Sequence, residues 1–335
     1  MRTLPTPTDR PTRRTLFDRV RGVLIIGVVA GHTIYSIDAE PVLINALEDP
    51  ARIVRMPAFF LVAGALLKHR TFSNQLIVVL RHLVPIYAAG VALQTLINLL
   101  LDGEFGVQIL PPVYGLWFLI ALGLLRLVPS LIPHKGSAVV IAVIAASAAS
   151  MIDLPQSVWT ARTLMLAPFF AIGVWLGADR LERLALQLGW LRAALLLGAC
   201  GIGVNLITVA TGLPTTVLEW RTPLTELGVS PLSAIGVNIT ILAGALGASV
   251  GAIGLIAQIR HAGWLESIGR QSVVIFIGHW PVFRVVQSAL SPYVDSEAAL
   301  LLPIIGLTVA GVLVPLAVAK IVRTARSMSW SHSRA

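Results

Sequence analysis

The first long apolar run of the chain, FDRVRGVLIIGVVAGHTIY, contains Asp18, Arg19, Arg21 and His32. Ionisable groups in such a run are costly, so each marks a functional position by default. Eleven residues separate Arg21 from His32. In an α-helix that is about 1100° of rotation, which brings the two within ~20° of one face, with a rise of about 16 Å. One stripe therefore carries a guanidinium, suited to phosphate, at its mouth and an imidazole deep in the run. An imidazole with the ordinary pKa of about 6.5 suits proton transfer at neutral pH. The spacing is comparable to the span of an extended phosphopantetheine arm, with phosphate at one end and thioester at the other. Gly22, Gly27 and Gly31 thin the same helix and let a ligand or neighbour come close. Taken singly, Arg21 reads as a charge that anchors topology and His32 as a hydrogen-bonded core histidine. Their shared stripe is what points to chemistry.

Other polar groups lie in apolar surroundings. His279 precedes Trp280 and Pro281; a proline there frees a carbonyl and kinks a helix. A second base, an oxyanion donor or a structural hydrogen bond are all open for His279. Arg55, Arg162 and Arg284 are expected to pair with acids or to line a polar cavity, with snorkelling to the interface as the ordinary alternative. Trp117 is a candidate pocket wall, while Trp175 and Trp280 read as packing or anchoring residues. Asn205 and Asn238 read as partners in helix–helix hydrogen bonds. GALGASVGAIG (244–254) reads as a small-residue packing face, because no Lys-Ser/Thr follows to make a phosphate loop. The seven histidines are scattered without HxxxH or HExxH spacing, so no metal site is expected. The single cysteine, Cys200, excludes an intrachain disulfide.

The elements that must position these groups follow from composition. Hydrophobic residues make up 56% and charged residues 12% of 335, and mean hydropathy is +0.84. A soluble fold cannot hide so much apolar surface. The expected fold is all-α, a polytopic membrane bundle. Windows of membrane-spanning length give ten helices near 20–37, 53–67, 76–101, 113–132, 136–152, 161–178, 188–211, 231–258, 271–290 and 298–322. The expected division is a cytoplasmic tail over 1–19, a transmembrane domain over 20–322 and a second tail over 323–335. No cleavable signal peptide is expected, because the first 21 residues hold six arginines and no apolar core.

The net charge of +9 does not form a basic face, which leaves no case for nucleic acid. With both termini in the cytoplasm, 20 of the 25 Lys and Arg fall on the inner side, leaving Arg52, Arg55, Arg162, Arg221 and Arg284. That asymmetry favours the N-in, C-in arrangement. RMPAFFLVAG (55–64) and LAPFFAIGVWLG (166–177) share a Pro, a Phe-Phe pair and a Gly, a weak internal echo.

Five segments in order resemble one known family. Arg21-x10-His32, RMPAFFLVAG (55–64), RHLVPIY (81–87), YGLWFLIALGLL (114–125) and IGRQSVVIFIGHWPVF (268–283) are similar to motifs of the membrane acyltransferase-3 family. The resemblance implies an integral membrane O-acyltransferase of the bacterial inner membrane, in which Arg21 and His32 are the essential pair. It implies acyl-CoA, most simply acetyl-CoA, as co-substrate and a hydroxyl of a glycan, lipid or small molecule as acceptor. His32 is then the general base or a transient acyl carrier, and Arg21, with Arg19 beside it, holds the donor's phosphate. Arg55, Trp117, His279 and Arg162 are expected to surround the acceptor. The chain departs from the family pattern at Ala63, Phe276 and Arg55, where the family commonly has Ser, Tyr and His. Transport, with the same groups relaying protons or binding an anion, is the alternative from another class.

Overall fold

A computed structural model describes residues 15–36, 42–103, 105–110, 114–132, 134–154, 159–214, 217–218, 222–259, 262–290 and 297–332. Among these, all regular structure is helical: α1 (Thr15–Ser36), α2 (Val42–Ala65), α3 (Phe72–Asp102), α4 (Trp117–Leu127), α5 (Lys135–Ala149), α6 (Thr160–Thr211), α7 (Pro231–Ala257), α8 (Gly263–Arg270), α9 (Ser272–Leu290) and α10 (Glu297–His332). Arg221, Arg260, Arg334 and the arginines at 2, 10, 13 and 14 lie outside the described residues.

Each apolar stretch expected to be helical overlaps a helix, although the one near 113–132 is α-helical only over Trp117–Leu127. The two expected near 161–178 and 188–211 belong to one element, α6, interrupted at Gly177 (φ 68°) and Gly189 (φ 65°). Only glycine enters that left-handed region without strain, so these two positions turn the chain between the expected helices. Inside α3, Pro85 has no N–H to offer the carbonyl of Arg81. The turn widens there over Val79–Leu83, and the Val84 N–H reaches the Val79 carbonyl instead.

Four helices are long and apolar enough to cross a membrane: Phe72–Asp102, Thr160–Thr211, Pro231–Ala257 and Leu302–Thr324. Their outward side chains are apolar as well, with Leu100, Val209, Leu232 and Leu302 each more than two-thirds exposed. Apolar surface on that scale needs lipid rather than water. The chain is an integral membrane protein.

Lipid gives no hydrophobic drive for helix association, so close packing rests on small residues. Gly64 of α2 abuts the backbone of Phe170 and Val174, and Gly173 of α6 abuts Leu61 and Ala65. The two echoing segments thus pack on one another. Gly244, Gly247, Gly251 and Gly254 of α7 receive Val204, Cys200, Leu197 and Ala193 of α6, as the small-residue reading of that stretch expects. Gly22 of α1 meets Leu265 and Gly269 of α8 backbone to backbone.

Two of the three buried clusters include α1. One draws Phe17, Phe60, Leu61, Leu166, Phe169 and Ile241 from α1, α2, α6 and α7. The other joins Ile25 and Val29 of α1 to Ile275 and Phe283 of α9 and Leu307 and Val312 of α10. Helix α1 belongs to both, so its polar stripe lies on the seam between them.

Candidate functional site

At the start of α1, Arg21 Nη2 pairs with Asp18 Oδ1 at 2.5 Å, and its Nε donates to the Phe17 carbonyl at 3.3 Å. Asp18 is buried, whereas the Arg21 side chain remains 35% exposed. Arg19 Nε lies 3.4 Å from Glu266 Oε1 on α8, and its Nη1 donates to the Ile259 carbonyl. Arg19 is therefore a clasp between α1 and the region around α8. At the same end of the bundle, Arg70, Asn74, Arg81 and His82 line an open cleft of about 640 Å³.

Eleven residues along, His32 meets α9. Its ring centroid is 5.3 Å from that of His279 and 5.6 Å from that of Trp280. His279 is 2% exposed. Its Nδ1 lies 3.0 Å from the Ile275 carbonyl, a partner that can only accept. Nδ1 therefore carries the proton and Nε2 presents a lone pair. That Nε2 is buried without a hydrogen-bond partner.

Arg55 of α2 lies across α1 at the level of these rings. Its Nη1 donates to the Gly27 carbonyl at 2.9 Å. A Cβ on Gly31 would fall 1.9 Å from Nη1 and 2.5 Å from Cζ. The two glycines thus form a groove that the guanidinium fills, one residue from His32. Sequence reading expected Arg55 to surround an acceptor; the fold sets it against the backbone of α1 itself.

Arg162 belongs to another cluster. Its Cζ stands 5.0 Å from the ring centre of Trp117 and 4.5 Å from that of Trp159, and the residue is 8% exposed. An arginine between two indoles gains cation–π attraction from both. Trp159 holds a left-handed φ of 52° at the start of α6. Ring contacts run from Trp117 to Phe118, on to Phe276 and then to His279. Arg162 and Trp117 thus connect to the histidine pair through aromatic rings.

Two clefts share Phe276. The apolar one, a shallow cleft, includes Ile25, Val28, Met56, Phe59 and Phe118. Ile25 and Val28 fall four and seven residues after Arg21, on the stripe that ends at His32. The other, with room for about one water, includes Gly90, Gln94, Gly115, Phe276, His279 and Pro281. Phe276 and Gln94 were not singled out from sequence. A glutamine in an otherwise apolar run was the available signal for Gln94. Arg284, expected to find an acid, pairs with Asp102 at 2.6 Å. Among the described residues, no group of three or more His, Cys, Asp or Glu could hold a metal ion.

Comparison with protein families finds one described as an acyltransferase domain, which matches residues 15–320. Comparison with curated proteins and with solved structures finds no match.

Proposed function

The chain belongs to that acyltransferase family and is an integral membrane acyltransferase, and from this premise we propose that it moves an acyl group, acetyl in the simplest case, from acyl-CoA to a hydroxyl. The observation that carries the reading is the α1 stripe, with a part-exposed Arg21 at its mouth and His32 beside a second histidine.

The donor's phosphate lies against Arg21, which Asp18 orients, and the cationic side chains at Arg70 and Arg81 attract the rest of its anionic end. His32 takes the proton of the acceptor hydroxyl as the oxygen attacks the thioester carbonyl. The tetrahedral oxyanion collapses, the carbon–sulfur bond breaks, and the imidazolium returns its proton to the departing thiolate. Arg55, fixed in the Gly27–Gly31 groove, supplies the positive charge beside that oxyanion without having to reorganise. The acceptor is a glycan, lipid or small molecule.

The ten apolar segments read from the sequence each cross the bilayer, with α8 too short to do so, and both termini and the Arg21 mouth lie in the cytoplasm of a bacterial inner membrane. The Lys/Arg asymmetry supports that orientation. The transmembrane domain is 20–322, flanked by cytoplasmic segments 1–19 and 323–335, the first of which packs Leu16 and Phe17 into the bundle. No observation favours transport.

The test uses detergent-solubilised protein, labelled acetyl-CoA and a panel of hydroxyl acceptors. Wild type transfers label, while His32→Ala and Arg21→Ala lose transfer by at least a hundredfold, the usual contribution of a general base or a fixed charge. Transfer by both variants at the wild-type rate overturns the assignment.

A further inference from the structure

Positive charge is unevenly distributed over the Arg21 end of the bundle. Between Asp49 and Asp102, and again between Glu104 and Asp153, the chain has no acidic residue. These stretches bring Lys68, His69, Arg70, Arg81 and Lys135 to that end, where α2 and α4 finish and α3 and α5 begin. Elsewhere at the same end, acids accompany the cations: Asp18 on Arg21, Glu266 on Arg19, and Asp179 and Glu182 in the segment of Arg180 and Arg183. Among the described residues, no carboxylate pairs with Lys68, His69, Arg70 or Lys135.

Two clefts open among these cations, and they share no residue. The polar one, at Arg70 and Arg81, takes part in the scheme above. The second, of about 220 Å³, is lined by His69, Lys135, Pro129, Ile132, Ala138 and Val174. Lys135 is the first residue of α5, whose N-cap, His134, makes no side-chain capping bond. The first-turn N–H groups of that helix therefore add to the attraction for an anion.

Tryptophans mark the depth of this cleft independently. Val174 precedes Trp175, which is 48% exposed, and α6 turns at Gly177. Where the chain turns again at Gly189, Trp190 is 64% exposed. Exposed tryptophans at the ends of spans lie at the level of lipid headgroups. Beside the cleft, Leu131 and Ile141 are half or more exposed, as suits contact with acyl tails.

We propose that this second cleft holds the headgroup of one anionic phospholipid. The phosphodiester lies against Lys135, His69 and the first turn of α5. The glycerol covers Pro129 and Ile132, and the tails pass Ile141 into the bilayer. A free phosphate carries the same charge, but the apolar lining favours a ligand with a hydrocarbon part. A zwitterionic lipid brings an ammonium group into a cationic neighbourhood and gains less.

Native mass spectrometry of the detergent-solubilised protein, titrated with phosphatidylglycerol, phosphatidylcholine or coenzyme A, tests the site. The first phosphatidylglycerol is expected to bind severalfold more tightly than the first phosphatidylcholine. Lys135→Gln weakens it about fivefold, the effect of one cation near a lipid phosphate. Lys320→Gln, the same change on α10 at the Arg21 end, leaves it unaltered. Ile132→Trp fills the cleft without changing charge and removes the same lipid. Saturating coenzyme A does not displace the lipid, because the two ligands occupy different clefts. Equal binding of the two lipids overturns the proposal, as does equal weakening by Lys135→Gln and Lys320→Gln. Wild-type binding by Ile132→Trp, or displacement by coenzyme A, overturns it as well.

Discussion

Placing one methyl group on Gly31 tests how Arg55 is held. The new Cβ would lie 1.9 Å from Arg55 Nη1, 2.5 Å from Cζ and 2.7 Å from Nη2. A shift of a few tenths of an ångström does not relieve that overlap, so the whole guanidinium must leave the groove. It then gives up its bond to the Gly27 carbonyl, and hydrogen bonds to charged groups contribute about 1.5–3 kcal/mol. Alanine in a helix interior gains roughly 0.5–1 kcal/mol over glycine, which offsets part of the loss. Gly31→Ala therefore destabilises the protein by about 1–2 kcal/mol while Arg55 is present. In an Arg55→Ala background the overlap is gone and only the gain remains, so the same substitution stabilises by roughly 0.5–1 kcal/mol. The four proteins form a double-mutant cycle with a coupling of about 1.5–3 kcal/mol. Denaturant unfolding of the detergent-solubilised proteins measures it, and acyl transfer by the same samples reports the catalytic cost of moving Arg55. The reasoning fails if Gly31→Ala has the same effect in both backgrounds, or if it stabilises the protein with Arg55 intact.

Three further outcomes follow from the packing. Gly269→Ala puts a Cβ 1.8 Å from the Asp18 carbonyl oxygen, where only backbone can yield; a loss of about 1–3 kcal/mol is expected, seen as a reduced folded fraction on size-exclusion chromatography. Arg162→Met removes two cation–π contacts, each worth about 1–2 kcal/mol when desolvated, and lowers the thermal midpoint; an unchanged midpoint shows that the indoles do not hold the cation. Gly177→Ala forces alanine to φ 68° and costs roughly 1–2 kcal/mol, whereas Gly198→Ala, on the same helix with open space at its Cβ, is neutral or stabilising in the same unfolding assay.

Helix positions were legible because long apolar runs in a membrane have few alternatives to helix. The stripe from Arg21 to His32 was legible for a related reason: helical period alone puts both on one face, whatever packs around them. The meeting of His32 with His279 was not. Period places residues on a face but says nothing of which distant helix covers it, and these two are brought together by glycine contacts at Gly22 and Gly269. Arg55 illustrates the same limit. Its charge was visible as an anomaly, yet its resting place depends on two glycines in another helix that read as generic thinning. Gln94 was passed over because an amide in an apolar run reads first as a packing hydrogen bond, as Asn205 and Asn238 did. Its place in one cleft with His279 depends on which helix covers that face.

The backbone contact between Gly22 and Gly269 also bears on biogenesis. A chain made from its N-terminus delivers α1 to the membrane long before α8, α9 and α10, which cover the flank of α1 that bears on the second cluster. Until α9 has been synthesised, His32 lacks the His279 and Trp280 rings that meet it in the folded protein. The acid beside Arg21, three residues away on the same helix, gives that nascent charge a companion from the start. Closure of the site is thus a late event in assembly. Truncation after α7 would leave the α1 stripe and Arg55 in place but remove Phe276, His279 and Trp280.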